Sequence, residues 1–100
     1  MTRPVRTLRA AGEEFAAAVR WYEQQRTGLG AEFFTAVSDT TAPIQDHPEI
    51  GAPVSEDQRT RRVLLPRFPY QRVYRLMADE VVIVAVAHSR RQPGYWRDRG

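Results

Sequence analysis

The chain has 100 residues, 42% hydrophobic and 27% charged, with 15 basic against 12 acidic side chains and a formal net charge of +3. A chain of this length has room for about one hydrophobic core, so residues 1–100 are expected to form a single ordinary globular domain and not a disordered segment. With no cysteine and only two histidines, His47 and His88, disulfides, thiolate metal sites and a cysteine nucleophile are excluded, and no metal or cofactor is expected.

In chain order, "RPVRTLRA" sets Val5 and Leu8 among polar residues in loose alternation and predicts a short first strand at a sheet edge. From Ala10 the period changes. Ala11, Phe15, Val19 and Tyr22, with Ala18 beside them, make one apolar stripe of a helix, and Glu13, Glu14, Arg20, Glu23 and Gln24 fall on the opposite face. Gly28 and Gly30 in "RTGLGAEFF" supply a C-cap and a tight turn, after which Phe33, Val37, Thr41 and Ile44 repeat the stripe. So short a connection folds the two helices into an antiparallel hairpin. Pro43 removes a backbone donor, and either kinks the second helix or begins a new turn capped by Thr40 or Thr41.

"DHPEIGAPVSEDQR" reads as a loop in which Pro48 stops the helix, Gly51 permits a turn, and His47 has no chemical task. The remaining runs, "TRRVLL", "YQRVYRLM" and "EVVIVAVA", predict three antiparallel strands, with Asp79 and Glu80 turning the chain between the last two. The final run is apolar throughout and should be a central strand covered on both faces. In the run before it, Tyr70, Arg72, Tyr74 and Leu76 share one face, and Gln71, Val73, Arg75 and Met77 the other. The expected architecture is therefore α+β in the order β-α-α-β-β-β, with the helices on one face of the sheet and the other face free for a partner.

The longest apolar run, Val81 to Ala87, is far short of the roughly 20 residues that cross a bilayer, and the N-terminus has no apolar signal region, so a cytoplasmic protein without a membrane partner is expected. Every basic residue other than histidine is Arg, which stays protonated, so only His88 and His47 can readily exchange a proton near neutrality. Ten of the Arg lie between Arg59 and Gly100, against Asp79, Glu80 and Asp98, which makes the C-terminal half a basic surface suited to an anionic partner. Arg62, Arg72, His88, Arg90, Arg91, Tyr95 and Trp96 are the candidate target-binding residues. For His88 the alternatives are a general base or a structural hydrogen-bonder at a strand end. For Tyr95 and Trp96 they are stacking on a partner or closing the core. Trp21, off the main helical stripe, either packs on the first strand or marks an interface, and packing is the expectation. Because Arg72 and Arg75 differ by three, they should face opposite sides of the sheet, one of them tied to Glu13, Glu14 or Glu23.

The segments "AVRWYEQQRTGLGAEFF", "HPEIGAPV", "RRVLLPRFPYQRVYRL" and "VVIVAVAHSRRQPGYWRDR", in that order and spacing, resemble the ParE/RelE superfamily of toxins from bacterial type II toxin–antitoxin modules, over Ala10 to Arg99. The resemblance implies a cognate antitoxin whose C-terminal segment wraps the toxin, in a possible hetero-oligomer, and a role in plasmid stabilisation or bacterial stress. It also implies one of two activities. The RelE-like branch cuts mRNA on the ribosome with a metal-free set of basic residues and a Tyr; the ParE-like branch is a DNA gyrase inhibitor. Arg91 and Tyr95 keep the spacing of the nuclease set, which would also enlist His88 and Arg62. Two lysines of that set fall at Arg62 and Leu64, however, and an arginine falls at Gln71. The resemblance therefore points to a ParE-like, non-enzymatic toxin acting on gyrase, with ribosome-dependent endoribonuclease as the alternative.

Overall fold

The computed structural model describes residues 3–100. Its elements are β1 (Val5–Thr7), α1 (Arg9–Gln25), α2 (Leu29–Ser38), α3 (Thr41–Asp46), β2 (Ala52–Pro53), β3 (Thr60–Leu64), β4 (Tyr70–Leu76) and β5 (Val81–His88). The α+β class, the first strand at an edge, the helix hairpin and the three closing antiparallel strands agree with the sequence. One sheet holds all the strands in the order β1-β5-β4-β3-β2. It is mixed, because β1 runs parallel to β5 with Val5 opposite Val81. The segment expected to be loop contributes β2, whose Ala52 lies opposite Arg62 of β3. Two residues, one of them proline, are too few to carry a period.

The hairpin turns at Gly28, whose φ of 91° is a left-handed conformation that favours glycine, and whose N–H is held by both oxygens of Glu23 at 3.0 and 3.1 Å. Of the two readings of Pro43, the new turn holds: α2 stops at Ser38 and Pro43 lies in the first turn of α3, where no intrahelical donor is lost. Thr40 occupies the cap position without capping α3, since its hydroxyl instead donates to the Val37 carbonyl at 2.6 Å.

β5 is buried from Val81 to Ala87, as its unbroken apolar run requires. A bulge sets its two faces. Val73 lies opposite Ala85 but Tyr74 lies opposite Ile83, so Val84 is an extra residue that resets the alternation. Ile83 therefore packs with Ala11, Ile44 and Tyr74 under the helices, and Val86 packs there too, with Ala18, Phe33 and Phe68. On the other face Val73, Val84, Ala85 and Ala87 receive Trp96, which is 6% exposed. The expectation of a free second face is thus corrected. Small side chains on β5 leave room for an indole, and the C-terminal segment closes that half, while Arg62, Leu64 and Gln71 on β3 and β4 border an open hollow of about 240 Å³. Among the described residues, no helix is long and apolar enough to cross a membrane.

Candidate functional site

The end of β5 and the segment after it gather most of the residues singled out from the sequence. His88 ends the strand, its ring edge-on to Tyr70 with centroids 5.1 Å apart. Its Nδ1 accepts the Arg90 N–H at 3.0 Å, so in the neutral ring the proton sits on Nε2 and no nitrogen lone pair is left free. Arg91 lies with its guanidinium carbon 3.9 Å from the centroid of the Tyr95 ring, a stacked geometry that leaves its N–H edges open. Across the hollow, Arg62 donates to the Gln71 side-chain oxygen at 3.2 Å. Among the described residues no carboxylate pairs with Arg62, Arg90 or Arg91.

Tyr95 is fixed from beneath by Glu14. The phenol donates to Glu14 Oε2 at 2.6 Å, and Arg99 holds the same carboxylate through Nη1 at 2.9 Å and Nη2 at 3.0 Å. The Val86 N–H donates to Glu14 Oε1 at 3.1 Å, and Arg99 donates to the Val84 carbonyl at 3.1 Å. β1 has ended by this point, so Glu14 and Arg99 satisfy backbone groups on the β5 edge that no neighbouring strand reaches. Burial alone would raise the Glu14 carboxyl, but the bonds from Arg99, Tyr95 and Val86 outweigh it and hold the group below its ordinary value. Burial, and then the bond to Glu14, push the Tyr95 phenol well above its ordinary value, so it stays protonated.

Two candidates lie elsewhere. Arg72, expected to face a partner, is 8% exposed and points under the helices. It donates to Thr40 Oγ1 and Thr41 Oγ1 at 2.8 Å and to the Val37 carbonyl at 3.4 Å, a cation at the carbonyl end of α2 where the helix dipole favours it. Burial lowers its pKa to about 10, which leaves it charged. Arg72 and Arg75 do face opposite sides, but neither is tied to Glu13, Glu14 or Glu23; Arg75 donates to the Arg99 carbonyl at 2.9 Å. Trp96 likewise closes the core and presents nothing to a partner. Trp21, expected to pack on the first strand, is instead 55% exposed and stands edge-on to Tyr22 on α1, bordering a groove of about 560 Å³.

Glu14 and Arg99 organise the site and were not among its expected residues. A signal existed. Glu14 lies three residues after Ala11 and four before Ala18, both buried, so it borders the stripe and not the solvent face.

The model of one protein family, the ParE toxin of type II toxin–antitoxin system parDE, matches residues 5–93. Among solved structures, a chain of the chromosomal ParDE TA system from P. aeruginosa is similar in fold, with a TM-score of 0.74, 19% identity, and coverage of 87% of this chain and 96% of that one. No curated protein matches the chain. The family match takes in the helix hairpin, the whole sheet and the His88–Arg91 turn, and on it the chain belongs to the ParE toxin family of type II toxin–antitoxin systems.

Proposed function

We propose that this toxin, acting as one domain in the cytoplasm, arrests growth by poisoning DNA gyrase and is neutralised in a complex with a cognate antitoxin. The observation that carries the choice over mRNA cleavage is the Tyr95 hydroxyl donated to Glu14 at 2.6 Å. Metal-free RNA cleavage needs one group to remove the 2′-hydroxyl proton and another to protonate the leaving oxygen. Tyr95 has its proton engaged with an ion-paired carboxylate, and His88 has Nδ1 engaged with the Arg90 N–H. The guanidinium groups of Arg62 and Arg91 bind anions but do not shuttle protons. Leu64 and Gln71 stand where the nuclease pattern has cations. What the site offers is a cationic edge, made of Arg62, Arg90 and Arg91 with His88 and the Tyr95 ring, suited to gripping a target.

Purified toxin should inhibit supercoiling by gyrase or trap cleaved plasmid, leaving ribosome-bound mRNA intact. Cleavage of mRNA in a translating extract, abolished by Tyr95→Phe or His88→Ala, would establish the nuclease instead.

A further inference from the structure

A separate cleft of about 360 Å³ lies toward the β2 edge of the sheet, between β3 and the junction of α2 with α3. Its floor is apolar, with Ala36 and Ile44 buried on the helix side and Val63 on β3. Ile50 and Leu64 border it and are 57% and 64% exposed, so its mouth is apolar as well. Polar groups converge on this lining. The Leu65 N–H bonds to the Tyr70 carbonyl and the Arg59 carbonyl to the Leu76 N–H, so the odd-numbered residues of β3 face β4, and the N–H and carbonyl of Leu64 point away from it. β2 reaches only to Arg62, and both Leu64 groups are without a partner among the described residues. Asp39, at the end of α2, lines the same cleft and has no cation partner among the described residues. Arg67 lines it too, with a φ of 68°, a left-handed conformation that is uncommon for a residue with a Cβ and that clusters at ligand clamps. Its carboxylate partner, Glu32 at 3.4 Å, is shared with Arg26 at 3.1 Å, which leaves most of the Arg67 fork open.

We propose that this cleft binds a free α-amino acid with a branched apolar side chain, of the leucine type. The side chain fills the floor formed by Ala36, Ile44 and Val63. The ammonium faces Asp39 and donates to the Leu64 carbonyl, and the carboxylate faces Arg67 and accepts from the Leu64 N–H. Two features favour a small molecule over a strand from a partner chain. The open edge is one residue long, because β2 covers Arg62 on one side and Pro66 has no N–H to offer on the other. The cleft also presents one charge of each sign, which a zwitterion answers and an internal peptide residue does not. An uncharged apolar molecule would leave both Leu64 groups unpaired, and a simple ion would answer only one of the two charges. The volume is that of a small-ligand site, roughly 300 Å³ and upward. The inference goes beyond the toxin reading and does not depend on it.

The test is a titration of the purified full-length chain, followed by the amide NMR signals of Leu64 and Ile44. Leucine should shift both with a Kd of roughly 1 mM, as suits a ligand of so few atoms. Alanine, which leaves the floor unfilled, should bind roughly tenfold or more weakly. Leucinamide and N-acetylleucine each lack one charge and should each lose roughly tenfold. Asp39→Asn should weaken leucine by a similar factor while leaving N-acetylleucine unchanged. Arg67→Gly, which suits the left-handed φ and so keeps the turn, should weaken leucine while leaving leucinamide unchanged. Both positions are exposed, and amide spectra matching the unaltered chain elsewhere check that the variants fold. Three results would overturn the proposal: no shift of the Leu64 amide with leucine, alanine binding as tightly as leucine, or neutral N-acetylleucinamide binding as tightly, which would make a peptide segment the occupant. The purified chain is used alone, so none of these results bears on the choice of gyrase as target.

Discussion

Four hydrogen bonds converge on the Glu14 carboxylate, from the Val86 N–H, the Tyr95 hydroxyl and both terminal nitrogens of Arg99. Glutamine at this position keeps the shape but sets an NH2 group against one of those donors and removes the charge that Arg99 faces. With side-chain exposures of 18% and 23% the pair is partly withdrawn from water. Glu14→Gln is therefore expected to cost about 2 kcal/mol at neutral pH, between the values for a charged hydrogen bond and for a broken buried pair. Because the folded pKa lies below the ordinary 4.5, the contribution is complete above that value and is lost as pH falls through the folded one. Urea denaturation of the two proteins should show a gap that is widest at neutral pH and closes in acid. A gap of equal size at every pH would mean that the ionised carboxylate is not its source. Arg72 shows the opposite case: a buried cation held by two threonine hydroxyls and a helix-end carbonyl, which its place in an alternating strand could locate but not partner, because those acceptors lie where α2 ends and α3 begins.

At the scale of elements, the legible part was whatever repeats. The stripe through Ala11, Phe15 and Ala18 and the alternation of β4 each fix a face by period, the apolar run of β5 fixes burial on both sides but no face, and all three are found as expected. What breaks a period was hidden. The extra residue at Val84 moves Ile83 and Val86 to one face, and no local motif marks it. Gly51 was legible as a turn glycine but for the wrong reason: a Cβ there would lie 2.6 Å from the Tyr74 hydroxyl and 2.8 Å from the Arg62 carbonyl, so space and not φ demands glycine. "PGYW" has no period at all, and of the two tasks open to its aromatics, core closure falls to Trp96. The indole N–H is buried without a partner, so the contribution of this residue is packing alone. Trp96→Ala should then cost about 3–5 kcal/mol, whereas Trp96→Phe, which keeps a ring and removes an unsatisfied donor, should cost less than half as much. Thermal denaturation distinguishes them; equal losses would mean that the N–H is hydrogen-bonded in solution.

For the molecule as a whole, a net charge of +3 understates how one-sided the surface is. Glu80 pairs with Arg6, Glu13 with Arg9, Glu32 with Arg26 and Arg67, and Glu14 with Arg99, so these acidic residues are already neutralised near the helices and β1. Arg62, Arg90 and Arg91 have no such partner among the described residues, and their field acts together from one end of the sheet. Neutral groups hold two of them in place, the Gln71 amide for Arg62 and the Tyr95 ring for Arg91, which orders the guanidinium groups without cancelling their charge. Such an arrangement favours association with an anionic surface over stability of the fold, and the two can be separated by experiment. Arg62→Gln and Arg91→Gln combined should leave the denaturation midpoint within about 1 kcal/mol of wild type, since neither residue is buried or ion-paired. Growth inhibition should nevertheless be lost, and, on the proposal that gyrase is the target, its binding by the unaltered toxin should weaken steeply with added salt as the screening length falls to about 8 Å and below. A doubly substituted toxin that folds and still arrests growth would place the target-binding surface elsewhere on the molecule.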